Sequence, residues 1–157
     1  MQVFAGYDPA NNPLNTNEWA FPVCEVLHIV GFAMLIGTIA IVDLRMIGVG
    51  MRRQTSAELL RDTAPWTMLG LMLVLTTGPL IFSSGPTTYI GSGDFAHWNK
   101  SFLYKMAALA LAIVYNWTIH NKVANSPNPG GLGVLVGAFS MLLWASIIFA
   151  GIFIAFV

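Results

Sequence analysis

Charged side chains are what this sequence has least of. Lysine, arginine, aspartate and glutamate make up 9% of its 157 residues, against about 25% in a soluble domain. That shortage excludes an ordinary water-facing surface. The formal net charge is zero, and no basic patch is present to neutralise phosphates, which excludes nucleic acid as a partner. One cysteine, Cys24, excludes an internal disulfide and the multi-thiolate clusters that hold structural zinc. No secretory leader is expected: MQVFAGYDPANNPLNTNEW has neither a basic start nor an apolar run, and reads as a short polar arm. No glycine-rich phosphate loop follows a strand, and no Gly-x-Ser-x-Gly elbow is present. Hydrolysis by paired carboxylates also fails, because Glu25 and Asp43 fall at opposite ends of one apolar run.

What is present is apolar. The chain is 56% hydrophobic, with a mean hydropathy of +0.70, and no internal repeat is visible. These values define an integral membrane protein of one domain. Its expected fold is all-α, a four-helix up-down bundle with spans at about 18–50, 65–82, 99–122 and 132–157. The first span is the most informative. It contains no ionisable residue from Ile29 to Val42, with Glu25 and His28 before that run and Asp43 and Arg45 after it. At 1.5 Å per residue, His28 and Asp43 stand about 22 Å apart, most of a hydrocarbon core of about 30 Å.

Residues 54–64 form a connector in which Thr55 or Ser56 would cap a short amphipathic helix. Pro65 and Trp66 open the second span, and Pro79 kinks or ends it. The loop SSGPTTYIGSGDFAHWN (83–99) is longer than connections usually are, a feature of functional loops, and it carries His97. The third span holds Lys105, Asn116 and His120. NSPNPGG (125–131) breaks the helix. The fourth span has no charge, and Gly131, Gly133 and Gly137 offer a small-residue face for close contact.

Lys105 and His120 are fifteen residues apart, as are His28 and Asp43. In an up-down bundle the first and third helices run parallel. Glu25 and His28 then lie level with Lys105, and Asp43 and Arg45 level with His120, giving two polar layers around an apolar middle. Ionisable groups inside a membrane point first to function. The structural alternative pairs Glu25 with Lys105, and Asp43 with Arg45 or His120, because buried charges are normally paired. Neutral imidazole is the common protein ligand of haem iron, and facing helices of a bundle hold such cofactors. His28 and His97 are therefore candidate metal ligands, with Lys105 or Lys100 for the propionates. For His120 the alternatives are a second haem, with Met46 or Met68 as its partner, or a cap at a helix end. Copper, which suits thioether and imidazole, is the other cofactor candidate. Its signal is weak because the eight methionines are scattered, although Met68 and Met72 share a face.

The segments LHIVGFAMLIGTIAIVDLR, APWTMLGLMLVLTTG and NKSFLYKMAALALAIVYNWTIH resemble a family of small, mostly uncharacterised bacterial four-span membrane proteins. The shared pattern falls on His28 and Gly31, Asp43 to Arg45, Pro65-Trp66, Asn99 with Phe102 and Lys105, then Asn116 and His120. It covers about residues 25–122. Lys100 departs from the family's usual proline, and His97 lies outside the pattern. The family is remotely similar to copper-resistance D-type proteins and membrane b-type cytochromes, a likeness that points to haem or copper by analogy alone.

The expected function is a b-type haem protein or electron-transfer subunit of a bacterial inner membrane. The alternatives are a non-catalytic scaffold of a larger membrane complex, and a copper-handling or small-solute permease. Expected partners are the lipid bilayer, other membrane subunits or redox proteins, and quinone. The connectors at one end and their flanks hold Arg45, Arg52, Arg53, Arg61 and Lys122, and the other end holds Lys100 and Lys105. The positive-inside rule then places both termini in the periplasm. A reporter fused after Val157 should be active in the periplasm, and cytoplasmic activity there would reverse the topology.

Overall fold

The computed structural model describes residues 7–50, 53–91, 98–127 and 130–156. Four long helices carry the fold: α1 (Ala20–Ile47), α2 (Ser56–Ser84), α3 (Lys100–Ala124) and α4 (Gly130–Phe153). Each is long and apolar enough to cross a membrane, and no strand occurs among the described residues. The bundle is all-α, as composition required. Many of its largest apolar side chains face outward, among them Leu135, Leu142 and Phe149. In water such a surface would be untenable; against lipid it is the expected exterior.

The second helix is longer than the sequence suggests. It starts at Ser56, where Thr55 and Glu58 form a capping box: the Thr55 N–H donates to Glu58 Oε2 at 2.7 Å and the Glu58 N–H donates to Thr55 Oγ1 at 3.2 Å. The expected connector helix and the second span are thus one continuous element. Pro65 lies inside it instead of opening it, and Pro79 does not end it. Both prolines are on the exposed side of α2, so neither ring disturbs the buried face and the helix tolerates the lost hydrogen bonds.

The packing is uneven. Helices α1 and α2 lie together along most of their length, while α4 packs on both α1 and α3. The α1–α2 seam is close because glycines face each other. A Cβ at Gly70 would stand 2.7 Å from the Leu35 backbone nitrogen and 2.8 Å from the Gly31 carbonyl oxygen, and one at Gly31 would stand 2.8 Å from Leu73 Cβ. Helix α4 uses one of its expected small residues in the same way: a Cβ at Gly137 would meet the Asp43 carbonyl oxygen at 2.9 Å. Gly133 is buried, whereas Gly131 is exposed and faces open space. The core between the helices includes Leu35, Ile39, Val42, Ala112, Leu143 and Ile147.

Polar contacts tie the ends. At one, the Ser56 hydroxyl donates to the Ala124 carbonyl at 2.8 Å. At the other, the side chain of Asn99 caps α3 by accepting from the Phe102 N–H at 3.0 Å and donates to the Ile154 carbonyl at 2.9 Å. The N-terminal arm folds onto the end of α2, where Asn12 and Asn15 donate to the carbonyls of Ser83 and Ser84, each at 2.7 Å, and the Tyr7 hydroxyl also reaches the Ser83 carbonyl. The expected long loop contains a short helix, Pro86–Ile90, and Tyr89 joins Phe82 and Phe102 in an aromatic cluster.

Gly70→Ala should lower the thermal stability of purified protein by about 1–3 kcal/mol, because the added methyl meets backbone that cannot move aside. Gly37→Ala, which meets nothing within 4 Å, is the control: it should be neutral or slightly stabilising, since alanine is the better helix former.

Candidate functional site

The two expected polar layers are present at the two ends of the bundle, and they differ in kind. At the first, Asp43 on α1 and His120 on α3 are both fully buried, and His120 Nε2 lies 2.6 Å from Asp43 Oδ1. This contact confirms that α1 and α3 are parallel and in matched register. Of the partners weighed for Asp43, the structure selects His120. Arg45 turns away, and its Nε donates to the Gln54 carbonyl at 2.5 Å. His120 is therefore an interior residue, not a cap at a helix end.

The backbone of α3 is adapted to this pair. Residues Asn116–His120 form a π turn, in which the Asn121 N–H donates to the carbonyl of Asn116. Such turns insert an extra residue and often mark functional positions. Here Asn116 and His120 are buried while Trp117, Thr118 and Ile119 face outward. On α4, the buried Ser140 hydroxyl sits beside the Asp43 carboxylate, and Trp144 is buried one turn further along. The close approach at Gly137 brings α4 against this part of α1.

Among the described residues, His120 Nδ1, Asn116 Oδ1, Trp144 Nε1 and, next to His120, Asn121 Oδ1 are buried without a hydrogen-bond partner, while the Ser140 hydroxyl has the Asp43 carboxylate as its neighbour. Buried polar groups are nearly always satisfied by protein or by ordered water. The pair is thus fully enclosed by the bundle, with several other polar side chains buried around it.

At the other end, His28 is half-buried on the α1–α2 seam. Its Nδ1 lies 2.7 Å from Thr77 Oγ1. The Thr77 hydroxyl sits 2.5 Å from the Leu73 carbonyl and donates its single proton there. Its oxygen is therefore the acceptor for His28 Nδ1–H, and Nε2 carries the free lone pair. Phe32 stands edge-on to the His28 ring at 5.1 Å. A Cβ at Gly78 would lie 3.4 Å from His28 Cε1. Cys24, one turn before His28, directs its thiol to the Thr77 carbonyl at 3.8 Å.

Lys105 reaches the same level from α3, its Nζ 5.1 Å from the centre of the Phe32 ring, where a cation–π contact is favourable. Gly151 makes room for it, since a Cβ there would lie 3.3 Å from Nζ. Glu25 is exposed, and among the described residues it forms no ion pair with Lys105. Lys100 is exposed at the start of α3. His97 lies outside the described residues. Met68 and Met72 are both exposed, so they do not converge on His120 or on each other's interior side, whereas Met46 is buried in the core. Among the described residues, no group of three or more His, Cys, Asp or Glu is placed to share a metal ion.

Sequence reasoning named His28, Lys105, Asp43 and His120 but passed over Thr77, Ser140 and Trp144. Ser140 could have been suspected as a hydroxyl in a helix without charge. The π turn has no local signal.

The class is now defined: a multi-pass α-helical membrane protein whose bundle encloses a hydrogen-bonded aspartate–histidine pair. The chain belongs to the family of unknown function DUF6644, whose profile matches residues 20–157. No curated protein and no solved structure matches it. Membership of an uncharacterised family agrees with the resemblance read from the three segments, and the remoter likeness to copper-resistance proteins and b-type cytochromes has no match behind it.

Asp43→Ala should cost about 3–5 kcal/mol, the usual effect of removing one member of a buried pair, read as a lower melting temperature or lower yield in detergent. Arg45→Ala should stay within about 0.5 kcal/mol, as for surface positions. An Asp43→Ala protein as stable as the parent would show that the pair does not hold the bundle together.

Proposed function

We propose that the protein is a haem b-binding subunit of a bacterial inner membrane that passes single electrons, with His28 as an axial ligand. One observation carries the reading. The chain of hydrogen bonds from His28 Nδ1–H to Thr77 and on to the Leu73 carbonyl holds the imidazole in the tautomer whose Nε2 is free to bind iron. Metal-binding histidines are characteristically oriented in this way, by donating the other ring N–H to an acceptor.

The surrounding residues fit the group. Half-burial of the ring suits a cofactor lying partly against lipid. Phe32 and Gly78 border the imidazole, and Lys105 offers a cation at the same level for a propionate. His97, which precedes α3 in the sequence, would be the second ligand in this reading. When bound, haem supplies a one-electron couple; the chain binds it, orients the ligand ring and sets the surrounding polarity. The positive-inside assignment puts this end toward the periplasm, with quinone or a membrane redox protein as electron donor. Copper is the weaker cofactor, because the exposed methionines do not converge.

The test is the visible spectrum of protein purified from a haem-replete host. Wild type should show a Soret band, His28→Ala should lose it, and His97→Ala should lose it or leave high-spin, ligand-accessible iron. Thr77→Val should keep haem but bind it more weakly, because the ring loses its orienting acceptor. Haem-free wild type would defeat the proposal and favour the scaffold reading, which a stable native complex without cofactor would support.

A further inference from the structure

The fully buried pair at the arginine-rich end is not used by the haem reading, and its surroundings are those of a binding site. We propose that Asp43 and His120 form a proton-binding site, loaded by water from the aqueous phase at that end through the groove between α2 and α3.

Three observations carry the inference. First, the pair is embedded among unpaired polar atoms. His120 Nδ1, Asn116 Oδ1 and Trp144 Nε1 are buried with no hydrogen-bond partner among the described residues, and all three residues are at least nine-tenths buried. Ordered water bridges such groups in protein interiors. Second, a groove adjoins the residue that follows His120. A groove of about 450 Å³ lies between α2 and α3, lined by Ala57, Glu58, Leu60, Arg61, Asn121 and Asn125 among others. Asn121 belongs to that groove, yet its Oδ1 is buried and unpaired, and it directly follows His120. Third, the π turn ends at His120, so the helix is wound differently where the pair's histidine is followed by Asn121, which lines the groove.

The chemistry follows from the two ring nitrogens. Nε2–H donates to Asp43 Oδ1, and Nδ1 is the nitrogen left over. With Nδ1 unprotonated, the imidazole is neutral and the carboxylate leaves a net negative charge in a low-dielectric interior. A proton delivered by water to Nδ1 makes an imidazolium–carboxylate pair of net charge zero. No bond other than N–H forms, and the water that gives the proton is reprotonated from the aqueous phase. Proton uptake thus leaves the pair without net charge.

Among the described residues, the other ionisable groups around the pair are engaged elsewhere or exposed. From α1, Arg45 is held by the Gln54 carbonyl. From α2, Glu58 and Arg61 lie in the groove, with Glu58 engaged by the Thr55 cap. On α3, the Tyr115 hydroxyl donates to the Val136 carbonyl at 2.9 Å, and Lys122 is exposed. Helix α4 contributes Ser140 and Trp144 and no charge.

Imidazole nitrogen NMR of histidine-labelled protein in nanodiscs tests this, with His120→Gln identifying the resonances. Wild type should show His120 Nδ1 gaining and losing its proton as pH is stepped, while Nε2 stays hydrogen-bonded. Asn121→Leu should slow exchange of that proton with water by about tenfold or more, a barrier change of roughly 1.4 kcal/mol per factor of ten. Asn121→Ser, which keeps a polar side chain in the groove, should stay near the wild-type rate. A His120 Nδ1 whose state never changes while the protein remains folded would make the pair a static strut and overturn the proposal. An unchanged exchange rate in folded Asn121→Leu would overturn the route. Loss of folding in Asn121→Leu leaves the wild-type titration and the Asn121→Ser rate to decide. The Soret test at His28 is independent of either result.

Discussion

The contact between Asp43 and His120 constrains the bundle more than any other. A carboxylate that is fully buried in a membrane helix is costly unless something answers it. Only one imidazole stands at its depth, on α3. Meeting it requires α1 and α3 to run parallel with their registers matched, and His120 to face inward at the end of a transmembrane helix. The π turn at Asn116–His120 supplies that facing. Gly137 then lets α4 approach the Asp43 carbonyl closely enough for Ser140 to reach the carboxylate. Three of the four helices are thus positioned with respect to one hydrogen-bonded pair.

The fourth, α2, is held by shape instead. Gly31 and Gly70 bring its backbone against α1 more closely than any side chain would allow, and dispersion contacts along such a seam replace the hydrophobic driving force that lipid does not provide. The consequence is a division of labour. The α1–α2 seam ends in His28 and Thr77, half-exposed and with one ring nitrogen free, whereas the α1–α3–α4 contact encloses a buried, charged pair. The sites are about 22 Å apart along α1, too far for direct interaction, so a cofactor at one and a proton at the other would be bound independently.

Much of this was legible in the order of the residues. The near-absence of charge implied lipid on all sides. The fifteen-residue spacing repeated in the first and third spans implied two polar layers: Asp43 meets His120 at one end, whereas at the other Lys105 lies over Phe32 and does not pair with the exposed Glu25. What failed did so for identifiable reasons. Pro65 looked like a helix start because proline is favoured there, but the capping box of Thr55 and Glu58 begins the helix at Ser56, nine residues earlier. Arg45 looked a plausible partner for Asp43 because it is two residues away; on a helix that spacing puts the two side chains on different faces. Met68 and Met72 do share a face, but it is exposed.

By itself, the sequence determined that this is a four-helix membrane protein and how far apart its ionisable residues lie along each helix. Those properties depend on composition, run length and rise per residue, which are local and additive. Only the tertiary structure decided which of the available partners Asp43 takes, that His120 is interior, and that Thr77 orients His28. Each of these depends on the rotation of one helix against another. A single extra residue in a π turn, or a missing Cβ at Gly70 or Gly137, changes that rotation or distance while leaving hydropathy and spacing almost unchanged.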